Sequence, residues 1–108
     1  MMLSELCGQL GLTVVSGTAA ESFDGVYAGD LLSRAMSHID AGNVWITIMS
    51  NTNVIAVASL TEAAAVILAE GVELIPEALR AANEKGITVL SSDSTVYELC
   101  ASINKLVS

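Results

Sequence analysis

Two short apolar runs dominate the hydrophobic pattern of this chain, Val44 to Met49 and Ala64 to Ala69. Each is apolar almost throughout, which is typical of a strand buried on both faces of a parallel sheet. A helix that begins at Pro76 and ends before Gly86 follows the second run, and a further strand covers Ile87 to Leu90. This alternation predicts an α/β fold with a small, mainly parallel sheet flanked by helices.

The first half of the chain shows shorter elements of the same kinds. A helix from Met2 to Leu10 precedes a strand from Leu12 to Val15, and another short strand covers Gly25 to Gly29. Asp30 is a side chain suited to cap the helix that follows. Five apolar residues are predicted on the inward face of that helix: Leu31, Leu32, Ala35, Met36 and Ile39.

Two further helices are predicted from context. The segment Val54 to Leu60 is apolar enough for a strand or a buried helix, and we favour a helix because parallel strands need a crossover connection. We expect the last helix to begin at Ser94 or Thr95, since Thr95 and Glu98 have the spacing of a capping box.

A polar quartet follows the run that ends at Met49: Ser50, Asn51, Thr52 and Asn53. It predicts a turn and a helix start, with Asn51 or Thr52 accepting from backbone amides. Glu70 and Gly71 follow the next strand, and parallel strands end on the same side of a sheet. Because helix N-termini attract anions, these six residues predict a site for a small anionic ligand. The alternative that the quartet only caps a helix and closes a turn stays open.

Composition and charge narrow the class of protein. The chain of 108 residues predicts a single domain spanning 1–108, and its 53% hydrophobic content is high for that size. Either the core is unusually rich in Ala, Val and Ile, or another chain covers some of the apolar surface. The net charge of −8 argues against nucleic acid and anionic membranes as partners. We expect a cytoplasmic protein, because no apolar run reaches the roughly 18 residues of a membrane span and no secretory signal is recognisable.

Residues suited to catalysis or metal binding are sparse. Cys7 and Cys100 lie on apolar helical stripes, and His38 is the sole histidine, so we predict no metal site. Asp30 and Asp93 stand where helix caps are expected, and we predict no catalytic residue. Among the aromatic residues, Trp45 is predicted in the core, while Phe23 and Tyr27 suit either a dimer contact or packing inside the domain.

The order of these elements resembles the DRTGG domain family over nearly the whole chain. The segment from Gly25 to Leu32 is similar to the family's early Gly-x-x-x-Gly-Asp-Leu segment. The family's Asp-Arg pair falls at Ser50-Asn51-Thr52, and its Thr-Gly-Gly falls near Ala69-Glu70-Gly71, which keeps one glycine. The pattern is more similar to a variant subgroup found beside iron-only hydrogenase genes.

The resemblance implies a fold similar to the amino-terminal domain of HPr kinase/phosphorylase, and a non-catalytic regulatory or ligand-sensing module that pairs with itself. A nucleotide is the kind of small anion expected, and no cofactor is specified. Kinase activity is not expected, because the chain lacks a Gly-x-x-x-x-Gly-Lys-Ser/Thr loop. Two alternatives remain: a structural adaptor that docks on a partner protein, hydrogenase-associated in that subgroup, and an enzyme built on Asp30, Glu70 or Asp93.

Overall fold

A computed structural model describes residues 1–107 and contains a five-stranded sheet. The strands are β1 (Thr13–Ser16), β2 (Val26–Ala28), β3 (Val44–Thr47), β4 (Ala65–Leu68) and β5 (Val89–Ser91). The helices are α1 (Leu3–Leu10), α2 (Leu32–His38), α3 (Thr52–Thr61), α4 (Pro76–Lys85) and α5 (Val96–Val107). The strand order is β1-β5-β4-β3-β2, with β2 to β5 parallel and β1 antiparallel to β5. The predicted fold class is confirmed.

Helices cover both faces of the sheet. Every residue of β3 and β4 is buried, and successive side chains point to opposite faces. Ile46 and Ile67 pack in one core cluster with residues of α1 and α5. Trp45 and Val66 pack in a second cluster with residues of α2, α3 and α4. Burial on both faces is the reason that these two strands are apolar without alternation.

The beginning of α2 differs from its sequence prediction. Leu31 occupies the N-cap position instead of Asp30, and no side chain caps the helix. Leu31 and Met36 are 63% and 50% exposed, so the prediction that they face inward was wrong, whereas Ala35 and Ile39 are buried. With seven residues, α2 presents only a narrow stripe to the sheet.

The last helix begins as predicted. The backbone N–H of Thr95 donates to Glu98 Oε1 at 2.9 Å, and the backbone N–H of Glu98 donates to Thr95 Oγ1 at 3.1 Å. This reciprocal pair is a capping box, which satisfies donors that the helix itself cannot. The cap is therefore Thr95, and the expectation that Asp93 caps this helix was wrong.

The capping box predicts a pH-dependent stability difference. Hydrogen bonds from the Thr95 backbone and side chain lower the pKa of Glu98 below its usual value. A lowered folded-state pKa stabilises the protein at neutral pH, and this contribution is lost as the pH falls from about 5 towards 3. Glu98→Gln should therefore be less stable than the natural protein in urea unfolding at pH 7, and this difference should shrink as the pH falls below the ordinary glutamate pKa of about 4.3.

The control for this comparison is Glu84→Gln, which changes an exposed carboxylate in another helix. A stability difference for Glu98→Gln that stays constant from pH 7 to pH 3 would contradict the assignment.

Phe23, Tyr27 and the two cysteines lie in or against the core, whereas Tyr97 is exposed. Phe23 is 4% exposed and packs inside this chain, while Tyr27 stacks on His38 with ring centroids 6.2 Å apart. Cys7 and Cys100 pack against the α1/α5 cluster, as predicted. Burial raises the pKa of both thiols, which keeps them protonated and poorly nucleophilic at neutral pH.

Candidate ligand site at the carboxyl end of the sheet

Because β2, β3, β4 and β5 are parallel, the loops that follow them meet on one side of the molecule, here called the carboxyl end of the sheet. The polar quartet lies at this end, between β3 and α3, and not in a hairpin between antiparallel strands. The antiparallel strand β1 begins at the same end, two residues after Gly11. The sequence prediction of where the quartet lies is therefore confirmed.

The quartet forms the start of α3. Asn51 is the N-cap, and its Oδ1 accepts from the backbone N–H of Asn53 at 3.0 Å. Its backbone oxygen accepts from the N–H of Val54 at 3.2 Å. The side chains of Thr52 and Asn53 are exposed. The predicted cap is confirmed, and the turn presents uncharged hydroxyl and amide groups above a helix N-terminus.

Glu70 and Gly71 lie in the neighbouring loop, residues 69–75, and their backbone is attached to the β5–α5 loop. The N–H of Glu70 donates to the Ser94 oxygen at 2.8 Å, and the N–H of Gly71 donates to the Ser92 oxygen at 2.9 Å. Both residues have a positive φ, 59° and 70°, which the tight turn requires. The contact between this loop and the quartet is made by Ile75, whose N–H donates to the Ser50 oxygen at 3.0 Å.

The structure thus brings four of the predicted site residues, 50–53, together in one turn and places Glu70 and Gly71 one loop away. The two groups share the carboxyl end of the sheet, but the backbone N–H groups of Glu70 and Gly71 bond to the β5–α5 loop rather than to the quartet.

Asp30 has a role that sequence reasoning missed. Its Oδ1 accepts from Thr47 Oγ1 at 2.7 Å and from the backbone N–H of Ile48 at 3.1 Å. Thr47 is fully buried, so Asp30 supplies the acceptor that its hydroxyl needs. The Trp45 Nε1–H donates to the Gly29 oxygen at 2.9 Å and fixes the same loop. The sequence signal for this contact was a threonine in an otherwise apolar strand.

A cleft at the start of β1 was also missed. It has a volume of about 180 Å³ and is lined by Gly11, Thr13, Gly71, Glu73, Ser91 and Asp93, among others. None of the quartet residues lines it. The cleft exists because β1 pairs with β5, with Thr13 opposite Ser91. Of the predicted site residues, Gly71 is the one that contributes to it.

A match to a protein-family model identifies the family of this chain. The model of the DRTGG domain matches residues 5–106. The chain belongs to the DRTGG domain family. No curated protein sequence matches it.

The DRTGG fold is also found in a solved structure that resembles this chain. That structure contains the CBS and DRTGG domains of the regulatory region of Clostridium perfringens pyrophosphatase, complexed with the activator diadenosine tetraphosphate. The TM-score is 0.72 at 13% sequence identity, and the match covers 92% of this chain and 44% of that chain. This chain therefore spans less than half the length of that regulatory region, and the likeness shows a shared fold.

In this DRTGG domain, six of the twelve carboxylates lie at the carboxyl end of the sheet. Lys85 and Lys105 lie in the last turns of α4 and α5, at the opposite end. Among the described residues, the quartet's loop is the one loop after a parallel strand that has no carboxylate. The carboxylates in the other three loops and the helix starts beyond them are Asp30, Glu70, Glu73, Glu77, Asp93 and Glu98.

Residues 1–107 also bear on metal binding and on membrane insertion. No group of three or more His, Cys, Asp or Glu side chains in this range is arranged to hold a metal ion. Within the same range, no helix has the length and apolar character needed to cross a membrane.

Proposed function

We propose that this DRTGG domain is a non-catalytic regulatory domain that senses a small anionic ligand, such as a nucleotide, at the carboxyl end of its sheet. Membership of the family supports a regulatory role. The similar pyrophosphatase region is itself regulatory and was solved with a polyphosphate dinucleotide bound. We also propose a cytoplasmic location, supported by the net charge of −8 and two free cysteines.

The observation that carries the proposal is the uncharged turn at residues 50–53. This loop contains no carboxylate of its own, whereas each of the other loops after the parallel strands contains at least one, and the nearby Asp30 carboxylate is engaged by Thr47 and Ile48. The α3 N-terminus adds a favourable dipole. A phosphate oxygen can replace Asn51 Oδ1 as the acceptor of the Asn53 backbone N–H, because a charged acceptor makes the stronger hydrogen bond. Binding would then release the Asn51 side chain, and this local change is how we propose that the domain senses its ligand.

Glu70 and Gly71 complete the proposed site from the neighbouring loop. The Glu70 carboxylate is exposed and accepts hydrogen bonds without donating any, so it suits a hydroxyl or amino group of the ligand rather than its phosphate. Gly71 has no side chain to obstruct approach. A nucleotide offers both kinds of group, an anionic phosphate and a sugar or base with O–H and N–H donors.

The test is thermal unfolding with phosphate, AMP, ATP and diadenosine tetraphosphate as probes, using Asn53→Glu and its uncharged control Asn53→Gln. At ten times its Kd, a ligand raises the free energy of unfolding by about 1.4 kcal/mol. We expect such a rise with at least one probe for the natural protein and for Asn53→Gln, but not for Asn53→Glu.

Asn53→Glu should itself be stable, because a carboxylate in the first turn of a helix stabilises it by about 0.3–1 kcal/mol. Loss of the response in this variant is therefore not a folding defect. A flat response of the natural protein to all four probes, or an unchanged response in Asn53→Glu, would refute the proposed site.

We further propose that the domain works as a homodimer through the outer edge of β2. The backbone oxygen of Gly25 and the backbone N–H of Gly29 form hydrogen bonds with β3. Because backbone groups alternate in direction along a strand, the N–H and C=O groups of Val26 and Ala28 face away from the sheet. A largely apolar groove of about 480 Å³ lies beside this free edge, between β2 and α5, and Val26 and Val107 are 38% and 51% exposed there. Such an edge pairs readily with another strand.

Sedimentation equilibrium tests the dimer. We expect twice the chain mass of 11.1 kDa for the natural protein, and a single chain for Val26→Lys, since lysine on an edge strand blocks strand pairing. Leu60→Lys, which changes a 71% exposed residue of α3, is the control and should stay dimeric. A monomeric natural protein at 100 μM would contradict the proposal.

The adaptor function is the second candidate, and one observation favours it. Leu31, Ile48 and Ile75 follow three neighbouring strands and are 63%, 41% and 38% exposed at the carboxyl end of the sheet. Exposed apolar side chains in one region are typical of a protein-binding surface. The adaptor would be favoured over the sensor if no probe raises the stability of the natural protein and if Ile48→Gln no longer binds a protein that the natural domain binds.

A further inference from the structure

The cleft at the start of β1 continues into a second cavity. The first has a volume of about 180 Å³ and the second of about 380 Å³. Both are lined by Thr13, Val72, Glu73 and Ser91, so they are two parts of one cleft, here called the β1–α4 cleft. Its larger part alone falls within the usual size of small-molecule sites, about 300–1,000 Å³.

The larger part is mostly apolar. Val15 on β1, Leu74 in the 69–75 loop and Leu79 on α4 line it, and all three side chains are only partly buried. Since α4 packs against β1, the cleft lies between a helix and an edge strand of the sheet. An apolar group inserted here would remove the exposed parts of these side chains from water, which is favourable by about 25 cal/mol for each Å² buried.

The smaller part is polar and negatively charged. Thr13 and Ser91 stand opposite each other in the β1–β5 pair and offer two hydroxyl groups. Glu73 and Asp93 add two carboxylates, and no Lys, Arg or His lines either part. Asp93 Oδ1 lies over Gly71, where a Cβ would come within 3.3 Å of it. This mouth repels phosphates and carboxylates and attracts a cation that donates hydrogen bonds.

We propose that the β1–α4 cleft binds a small amine with an apolar body. The body fills the space between Val15, Leu74 and Leu79, and the ammonium group lies between the carboxylates of Glu73 and Asp93. The ligand class differs from that proposed for the turn at 50–53, which is neutral and suits an anion. The cleft shares only Gly71 with the proposed anion site and none of the residues 50–53, so it is a second site that stands whether or not the anion site is confirmed.

The test compares three probes of the same length in ¹H–¹⁵N NMR titrations of the full chain: hexylammonium, hexan-1-ol and hexanoate. We expect hexylammonium to shift the amides of Thr13, Val72, Glu73 and Ser91. Hexan-1-ol should shift them with several-fold lower affinity, and hexanoate should not shift them. The hexylammonium affinity should fall between 20 mM and 200 mM salt, because the attracting charges are exposed.

Matched variants distinguish the loss of a charge in the cleft from a general effect on folding. Glu73→Gln keeps the side-chain shape and should weaken hexylammonium binding by about two- to five-fold, as expected for one exposed charge pair. Glu84→Gln, at the far end of α4, should leave it unchanged. Equal affinity for hexylammonium and hexan-1-ol, shifts that map elsewhere, an unchanged affinity in Glu73→Gln, or no shifts at all would each overturn the proposal.

Discussion

Trp45→Ala should lower the free energy of unfolding by about 3–5 kcal/mol, the range for truncating a fully buried aromatic side chain. The indole is 0% exposed and belongs to the cluster between the sheet and α2, α3 and α4. Its removal leaves a cavity and also deprives the Gly29 oxygen of its donor at 2.9 Å. Urea unfolding followed by circular dichroism measures the loss without relying on tryptophan fluorescence.

Trp45→Phe is the companion variant, and it keeps the measurement informative if Trp45→Ala does not fold. Phenylalanine fills most of the volume but cannot donate to Gly29, so we expect a smaller loss of about 1–2 kcal/mol. A cost below about 1 kcal/mol for Trp45→Ala would contradict the burial of this residue between the two layers.

Asp30→Ala should cost about 2–3 kcal/mol, although Asp30 is an exposed residue on a loop. The substitution removes the acceptor of both Thr47 Oγ1 and the Ile48 amide. Thr47 is fully buried, so its hydroxyl is left without this partner in a place that water reaches poorly. Chemical unfolding gives the cost, and hydrogen exchange at the Ile48 amide should become faster.

Two variants show whether the effect comes from these contacts. Asp30→Asn retains an accepting oxygen and should lose clearly less stability than Asp30→Ala. Asp40→Ala, which changes an exposed aspartate at the other end of α2, should lie within about 0.5 kcal/mol of the natural protein. If Asp30→Ala proves as mild as Asp40→Ala, Asp30 does not hold the β2–α2 loop to the end of β3.

The local sequence was sufficient for the elements with strong signals. Continuous apolar runs predicted β3 and β4, and Pro76 and Gly86 marked α4 at the right positions. Asn51 and the Thr95–Glu98 pair were found because caps act over only two or three residues. These features depend on contacts between near neighbours in the chain, which a single sequence displays directly.

Features that depend on distant residues were not found. Asp30 suited a helix cap by its position, but its partner Thr47 lies 17 residues away and competes successfully for the carboxylate. The β1–α4 cleft requires β1 to pair with β5, and a strand pattern does not name its partner. The apolar pattern of α2 predicted that five side chains face the core. A helix of two turns buries fewer, and Leu31 and Met36 are exposed.

The position of the quartet in the fold was predictable, whereas the contacts of Glu70 and Gly71 were not. The loop order fixed the quartet at the carboxyl end of the sheet, because parallel strands end together. The backbone amides of Glu70 and Gly71 bond to Ser94 and Ser92 because both residues adopt a positive φ. The sequence around Glu70 does not reveal this conformation, because a positive φ is uncommon for residues other than glycine.

The measurement that tests the sensor account most directly is an NMR titration of the full chain with diadenosine tetraphosphate, followed at the backbone amides. The account predicts the largest shifts at residues 50–53, smaller shifts at Glu70 and Gly71, and neither in Asn53→Glu. Amides at 50–53 that stay unmoved at saturating dinucleotide, or shifts confined to the β1–α4 cleft, would contradict it.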